Sequence, residues 1–243
     1  MQTRERICVA LLYAPFSIAS DELLYFASSG MYYINIHTHH PPQLDEWAIQ
    51  SLYNNFESLQ KPGNYSIGLH PWHITENWKD EFATIHQLST QTNVKAIGEC
   101  GMDKLAETDF ILQQEVFAQH IQLANQINKP LIIHCVKAYD EVLQQLKKSK
   151  VPVVFHGFNK SEQLANQILK TGHYISFGQA LLQEHIQQVA ASLPLQKIFL
   201  ETDDAAIPIQ TIYVLAAKVF SIDEDSLSLQ LQENAAKVFN YTI

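Results

Sequence analysis

Val94-Lys95-Ala96-Ile97-Gly98-Glu99 is a short, mostly apolar run that ends on a carboxylate, and its reading decides the fold. The arrangement recurs along the chain. Leu131-Ile132-Ile133-His134 and Val153-Val154-Phe155-His156 end on imidazoles, and Ile198-Phe199-Leu200-Glu201 runs on to Asp203. Runs of this length and composition read as strands buried on both faces, as in a parallel sheet. The expected strands are residues 32–36, 65–69, 94–99, 131–134, 153–156, 174–177 and 198–201. Residues 47–53 fit either a short strand or one helical turn, and as a strand they bring the count to eight.

Longer segments of helical period lie between these runs. Residues 113–128 space Val116, Phe117, Ile121, Ala124 and Ile127 along one face, and residues 139–148 do the same with Val142, Leu143 and Leu146. Ser161 caps a helix that continues to Lys170 and stops at Gly172. Alternating strands and helices, with no internal repeat and no linker, predict an α/β fold: one TIM-type (β/α) barrel. The short connection from His40 to Tyr65 predicts that one βα unit has lost its helix.

In such a barrel the C-terminal strand ends converge on one face, and that is where the chemistry collects. His37 and His39 follow the first strand, and an extended chain turns both imidazoles to the same side, as a shared metal requires. Glu99, His134, His156 and Asp203 stand at or just past later strand ends. Six metal-type side chains, each behind an apolar run, are hard to obtain as satisfied core polar groups.

The 243 residues, 47% hydrophobic and 17% charged, describe a globular chain that is neither disordered nor fibrous. Sixteen basic against 25 acidic residues leave a net charge of −9, which argues against a broad basic face for duplex DNA. A phosphate-containing substrate held by metal ions stays open. No apolar run reaches the roughly eighteen residues of a membrane span. Three cysteines, Cys8, Cys100 and Cys135, make no disulfide scaffold, so a reducing, cytoplasmic setting is expected. The only two arginines, Arg4 and Arg6, precede an apolar stretch over residues 7–19, and Met31 stands just before the first strand. Residues 1–30 therefore read as an extension of three possible kinds: an upstream start with Met31 as the working start, a helical extension, or a signal peptide. Residues 31–243 form the barrel.

Together, Ile36-His37-Thr38-His39, Ile67-Gly68-Leu69-His70-Pro71, Ala96-Ile97-Gly98-Glu99-Cys100-Gly101-Met102-Asp103, Ile132-Ile133-His134, Phe155-His156-Gly157-Phe158 and Leu200-Glu201-Thr202-Asp203 resemble the TatD family of metal-dependent hydrolases. The resemblance extends from Tyr32 to about Phe239, where Glu233–Phe239 is similar to the family's last helix. It implies a barrel with two divalent metal ions (magnesium, manganese or zinc) at its mouth and hydrolysis of phosphodiester bonds in DNA. By position, His37 and His39 would hold one ion with Asp203, Glu99 would bridge, and His134 and His156 would hold the second. Asp203 would also accept the proton of the attacking water, and His70 would contact substrate. No membrane partner is implied, and the oligomeric state is left open.

Departures from the family pattern cluster around the proposed ligands without replacing any. Asn35 stands where an aspartate is common, Val136 where an arginine is common, and Asp204-Ala205 where alanine and proline follow. A small phosphoester, amide or lactone is therefore the alternative substrate to DNA. Lys104, Lys137 and Lys160 leave strand ends and are expected as a cationic rim in place of the missing arginine. Trp72 and Trp78 either stack on a base or pack over the barrel mouth. Cys100 and Cys135 lack a base partner for nucleophilic work, and His40, His73, His86, His120, His173 and His185 read as surface or helix residues.

Overall fold

In the computed structural model, residues 32–241 are described, and the expectations for residues 1–30 concern positions outside them. Eight parallel strands follow one another in chain order around the sheet. They are β1 Tyr33–Thr38, β2 Glu46–Leu52, β3 Asn64–Ile67, β4 Val94–Asp103, β5 Leu131–Val136, β6 Val153–Phe155, β7 Tyr174–Phe177 and β8 Ile198–Leu200. The seven helices are α1 Trp78–Leu88, α2 Phe110–Ile127, α3 Tyr139–Leu146, α4 Glu162–Lys170, α5 Glu184–Ala191, α6 Ile209–Phe220 and α7 Glu224–Phe239 among the described residues. Ser161 caps α4 by accepting the Leu164 N–H, as its position predicts.

The ambiguous segment around Trp47 is a strand. β2 pairs with β1 and β3 through Tyr33↔Glu46 and Ile49↔Asn64, burying Ala48 and Ile49. No α-helix stands on either side of it. Residues 39–45 carry the chain from β1 to β2, and only the 3₁₀ turn Phe56–Gln60 lies between β2 and β3. The expected loss of one helix thus extends over two successive crossings.

The barrel closes between β1 and the chain after β8. Thr38 and Asp203 form a parallel bridge, with the His39 N–H donating to the Asp203 carbonyl and the Asp203 N–H donating to the His37 carbonyl, both at 3.0 Å. Further down the seam the Asn35 side chain does the joining. Its Oδ1 accepts the Thr202 N–H at 3.1 Å and its amide donates to Thr202 Oγ1 at 2.9 Å. The Tyr213 hydroxyl, from α6, takes the Ile34 N–H at 2.8 Å, so a backbone donor that short β8 leaves over is still satisfied.

Two irregularities aim the functional side chains. On β4, Ile97 pairs with Leu131 and Cys100 with Ile133, so the strand carries one extra residue around Gly98-Glu99. Such a bulge re-aims the side chain it contains. Gly98 and Gly101 have φ of 151° and 142°, and a Cβ there would overlap the Ile132 and His134 carbonyls. Only glycine allows β4 and β5 to approach so closely beside Glu99. A similar register shift falls between Asn35 and Thr38, on either side of His37.

Candidate metal centre

Glu99 is buried, and its two oxygens face two different groups of side chains. Oε2 lies 3.2 Å from His37 Nε2 and 3.5 Å from His39 Nε2, and Asp203 Oδ1 lies 3.5 Å from both of those nitrogens. Oε1 lies 3.0 Å from His134 Nδ1, 2.7 Å from His156 Nε2 and 3.1 Å from His70 Nε2. The six side chains singled out at the strand ends come together, with His70 as a seventh member.

This collection fits divalent cations. Three overlapping trios, His37/His39/Glu99, His37/His156/Asp203 and His70/Glu99/His134, each bring their ligand atoms within 4.8 Å of one another. Both ring nitrogens of His37 are buried without a hydrogen-bond partner, which is costly unless something else coordinates one of them. Imidazole and carboxylate donors together suit zinc and manganese, and the carboxylates suit magnesium.

Electrostatics point the same way. Burial alone raises the Glu99 pKa, but charge on His156 and His37 and hydrogen bonds from His134 and His156 outweigh it and hold the carboxyl well below the usual range. Burial and the neighbouring His156 lower the His37 pKa; Glu99 and Asp203 more than reverse this and lift it to about 9. Asp203, raised by burial, is pulled down to about 2 by His37 and His156. Buried carboxylates that draw protons onto neighbouring imidazoles favour cations in their place.

Hydrogen bonding sorts the histidines. His134 Nε2 lies 3.1 Å from Asp103 Oδ2, which places the proton on Nε2 and leaves the Nδ1 lone pair facing Glu99. His156 Nδ1 lies 3.5 Å from Glu201 Oε1, with Nε2 turned inward. His70 is the reverse case. Its Nδ1 accepts the Trp72 N–H at 3.1 Å, and burial holds its pKa below the ordinary value, against the pull of Glu99. A neutral ring that accepts at Nδ1 carries its proton on Nε2, so His70 donates towards Glu99 and has no free lone pair there for a metal.

Asp103 and Glu201 were invisible as functional residues in the sequence, although both stand inside the quoted motifs. Asp103 also accepts the Trp72 indole N–H at 2.6 Å, and Glu201 accepts the Gly157 N–H at 2.6 Å. The sequence places His120 at the surface or on a helix. It lies on α2 but is fully buried, and its Nε2 accepts the Leu69 N–H at 3.0 Å, bracing the backbone immediately before His70. Burial pushes its pKa down to about 4, so it is neutral and can accept. His173 is buried too. Trp78 is buried in packing, whereas Trp72 is 61% exposed at the mouth.

The centre opens into a cavity of about 560 Å³ lined by His39, Glu99, His134, His156 and Asp203 and by Gln50–Asn55 and Ser58. Lys104, Lys137 and Lys160 do not line it. Lys104 is drawn aside by Glu141, 2.5 Å away, and lies over the Phe110 ring. Asp204, the residue that departs from the family pattern, does line the cavity and pairs with His40 at 3.3 Å. Cys100 and Cys135 are buried free thiols, and burial raises both pKa values, to about 12 for Cys135, so neither is poised as a nucleophile.

A family model described as TatD related DNase matches residues 27–240. The chain belongs to the TatD family. Its relatives include the uncharacterized metal-dependent hydrolase YcfH of Escherichia coli K12, 32% identical over 57% of this chain and 54% of that protein, so the chain spans about half the length of that relative. An uncharacterized metal-dependent hydrolase of Buchnera aphidicola subsp. Baizongia pistaciae is 29% identical over 72% of this chain and 73% of its own. The solved structure of YjjV, a TatD homolog from E. coli K12, has a similar fold, with a TM-score of 0.75 at 21% identity over 86% of this chain and 98% of that one. A TatD family hydrolase from Entamoeba histolytica gives 0.74 at 16% identity, over 88% and 100%. This TatD-family chain thus has the eight-stranded parallel barrel of its structural neighbours.

Proposed function

We propose that this TatD-family hydrolase cleaves phosphodiester bonds in DNA with two divalent cations, magnesium, manganese or zinc. The observation that carries the reading is Glu99, whose two oxygens face two separate groups of imidazoles from three strand ends. In this reading His37, His39 and Asp203 would hold the first ion, His134 and His156 the second, and Glu99 would contribute to both. When bound, the ions would polarise a phosphoryl oxygen, lower the pKa of water and offset the charge that grows in the displacement.

The chain's own groups supply the rest. The Asp203 side chain is 41% exposed to the cavity and anionic throughout the neutral range, so it can take the proton of an incoming water. His70, with its proton on Nε2, is positioned to donate to a substrate oxygen near Glu99. Asp103 and Glu201 keep the rings of His134 and His156 turned inward.

Support for a nucleic acid comes from the family and from the size of the cavity. The free buried thiols Cys100 and Cys135 accord with a reducing, cytoplasmic setting. A small phosphoester, amide or lactone remains the second reading, favoured by the three lysines standing away from the cavity. Incubating the protein with an end-labelled single-stranded oligonucleotide and Mg²⁺ or Mn²⁺ tests the proposal. Progressive shortening that chelation abolishes is the expected result. An intact oligonucleotide alongside turnover of a small phosphodiester would favour the second reading.

A further inference from the structure

Beside the metal ligands the cavity has an aromatic lining. His70, which touches Glu99, is flanked by Trp72 with ring centroids 5.2 Å apart and by His73 at 5.6 Å. His73 is in turn stacked on Tyr53 at 4.4 Å with only 21° between the rings. Tyr53 and Trp72 are 39% and 61% exposed, although both are large and apolar, and both line the cavity. Trp72 is held in place by its indole N–H to Asp103, so its ring is fixed before anything binds. A second hollow lies against Tyr53, Trp72 and His73, so the aromatic wall continues beyond the metal centre.

No lysine or arginine lines this cavity among the described residues, and its polar lining near Tyr53 is made of amides and hydroxyls such as Asn54, Asn55 and Ser58. Attraction for a phosphate is therefore concentrated at the metal centre. Grip further out has to come from stacking and from neutral hydrogen bonds, which suits a nucleobase and not a second phosphate. A base can lie on a side-chain ring only when it is not stacked and paired in a duplex.

We propose that Tyr53, with His73 behind it, and Trp72 form a subsite for one unpaired nucleobase next to the phosphodiester cleaved at the metal centre. The inference rests on the phosphodiesterase reading and narrows it to unpaired ends or single strands. Fixed rings cost little ordering on binding, so the stacking energy goes largely into affinity.

Tyr53 is the residue to test, because no side chain at the metal centre leans on it. Binding is read with a phosphorothioate single strand carrying fluorescent 2-aminopurine at its end, on the metal-loaded protein, and turnover with the matching phosphodiester. Tyr53→Ala should raise Kd and KM about five- to a hundredfold, the range for loss of one stacked base, with kcat nearly unchanged. Tyr53→Phe should restore both. A strand with an abasic end should bind the parent as weakly as the normal strand binds Tyr53→Ala, and that variant should lose nothing further on it. Parental Kd in Tyr53→Ala, or an equal loss on the abasic strand, would overturn the subsite. Strands that bind in a base-dependent way but are never cut would instead remove the phosphodiesterase reading and leave the subsite standing.

Discussion

On the Oε2 side of Glu99, His37 and His39 come from one strand and Asp203 from the chain that closes the barrel onto it. On the Oε1 side, His134 and His156 come from neighbouring strands, and each has a further carboxylate beside it, Asp103 or Glu201. The first side is aligned by backbone. The Thr38–Asp203 bridge lies between its ligands, and Asp203 sits at a φ of 55°, which the two seam hydrogen bonds maintain. The second side is aligned by side chains: Asp103 hydrogen-bonds His134 Nε2 and chooses that ring's tautomer, and Glu201 lies 3.5 Å from His156 Nδ1. One side of Glu99 thus depends on barrel closure and the other on outlying carboxylates, and only Glu99 belongs to both.

Substitutions that hit one side, the other or the shared residue test this contrast. Glu99→Ala carries the largest expected effect: activity falls below detection and metal content drops at both positions, whereas His156→Ala mostly empties one. Elemental analysis of the purified variants decides it, and two full equivalents in Glu99→Ala would break the bridging assignment. For Asp203→Asn the fold and much of the metal should survive while the rate falls roughly a hundredfold or more, the scale of a lost general base. A near-native rate with metal bound would assign the proton to another group.

Asp103→Asn reaches only the second side. Metal titration should show one equivalent weakened about ten- to a hundredfold and the other unchanged. Equal weakening of both would mean the sides are not independently aligned. Asn35→Ala, at the seam, is expected to cost about 1–3 kcal/mol in urea unfolding, because a buried backbone N–H of Thr202 loses its acceptor. Any loss of metal should fall on the His37–His39 side. Preserved stability would mean that the backbone bridge closes the barrel unaided.

The regular half of the barrel was legible because its strands are unbroken apolar runs and its helices keep a clean period. Val153–Phe155 and Leu131–Val136 have no polar residue before their functional histidine. Glu46–Leu52 was not legible in the same way, since Glu46, Gln50 and Ser51 interrupt it and it lacks the helix on either side that would mark a βα unit. Lys104 shows a different limit. Its place after a strand end suggests a rim, yet a long flexible side chain goes where its partner lies, and Glu141 stands 37 residues from Lys104.

Local sequence determined which residues end each strand, because burying a strand on both faces demands apolar side chains until the chain reaches the mouth. That was enough to bring His37, His39, Glu99, His134, His156 and Asp203 to one face. How they are aimed was decided only in three dimensions. The bulge at Glu99, the tautomer that separates His134 from His70, the seam through Asn35 and Thr202, and the carboxylates behind the histidines all join residues far apart in the chain. Spacing along a chain carries direction only within one element, and hydrogen bonds between elements set it everywhere else.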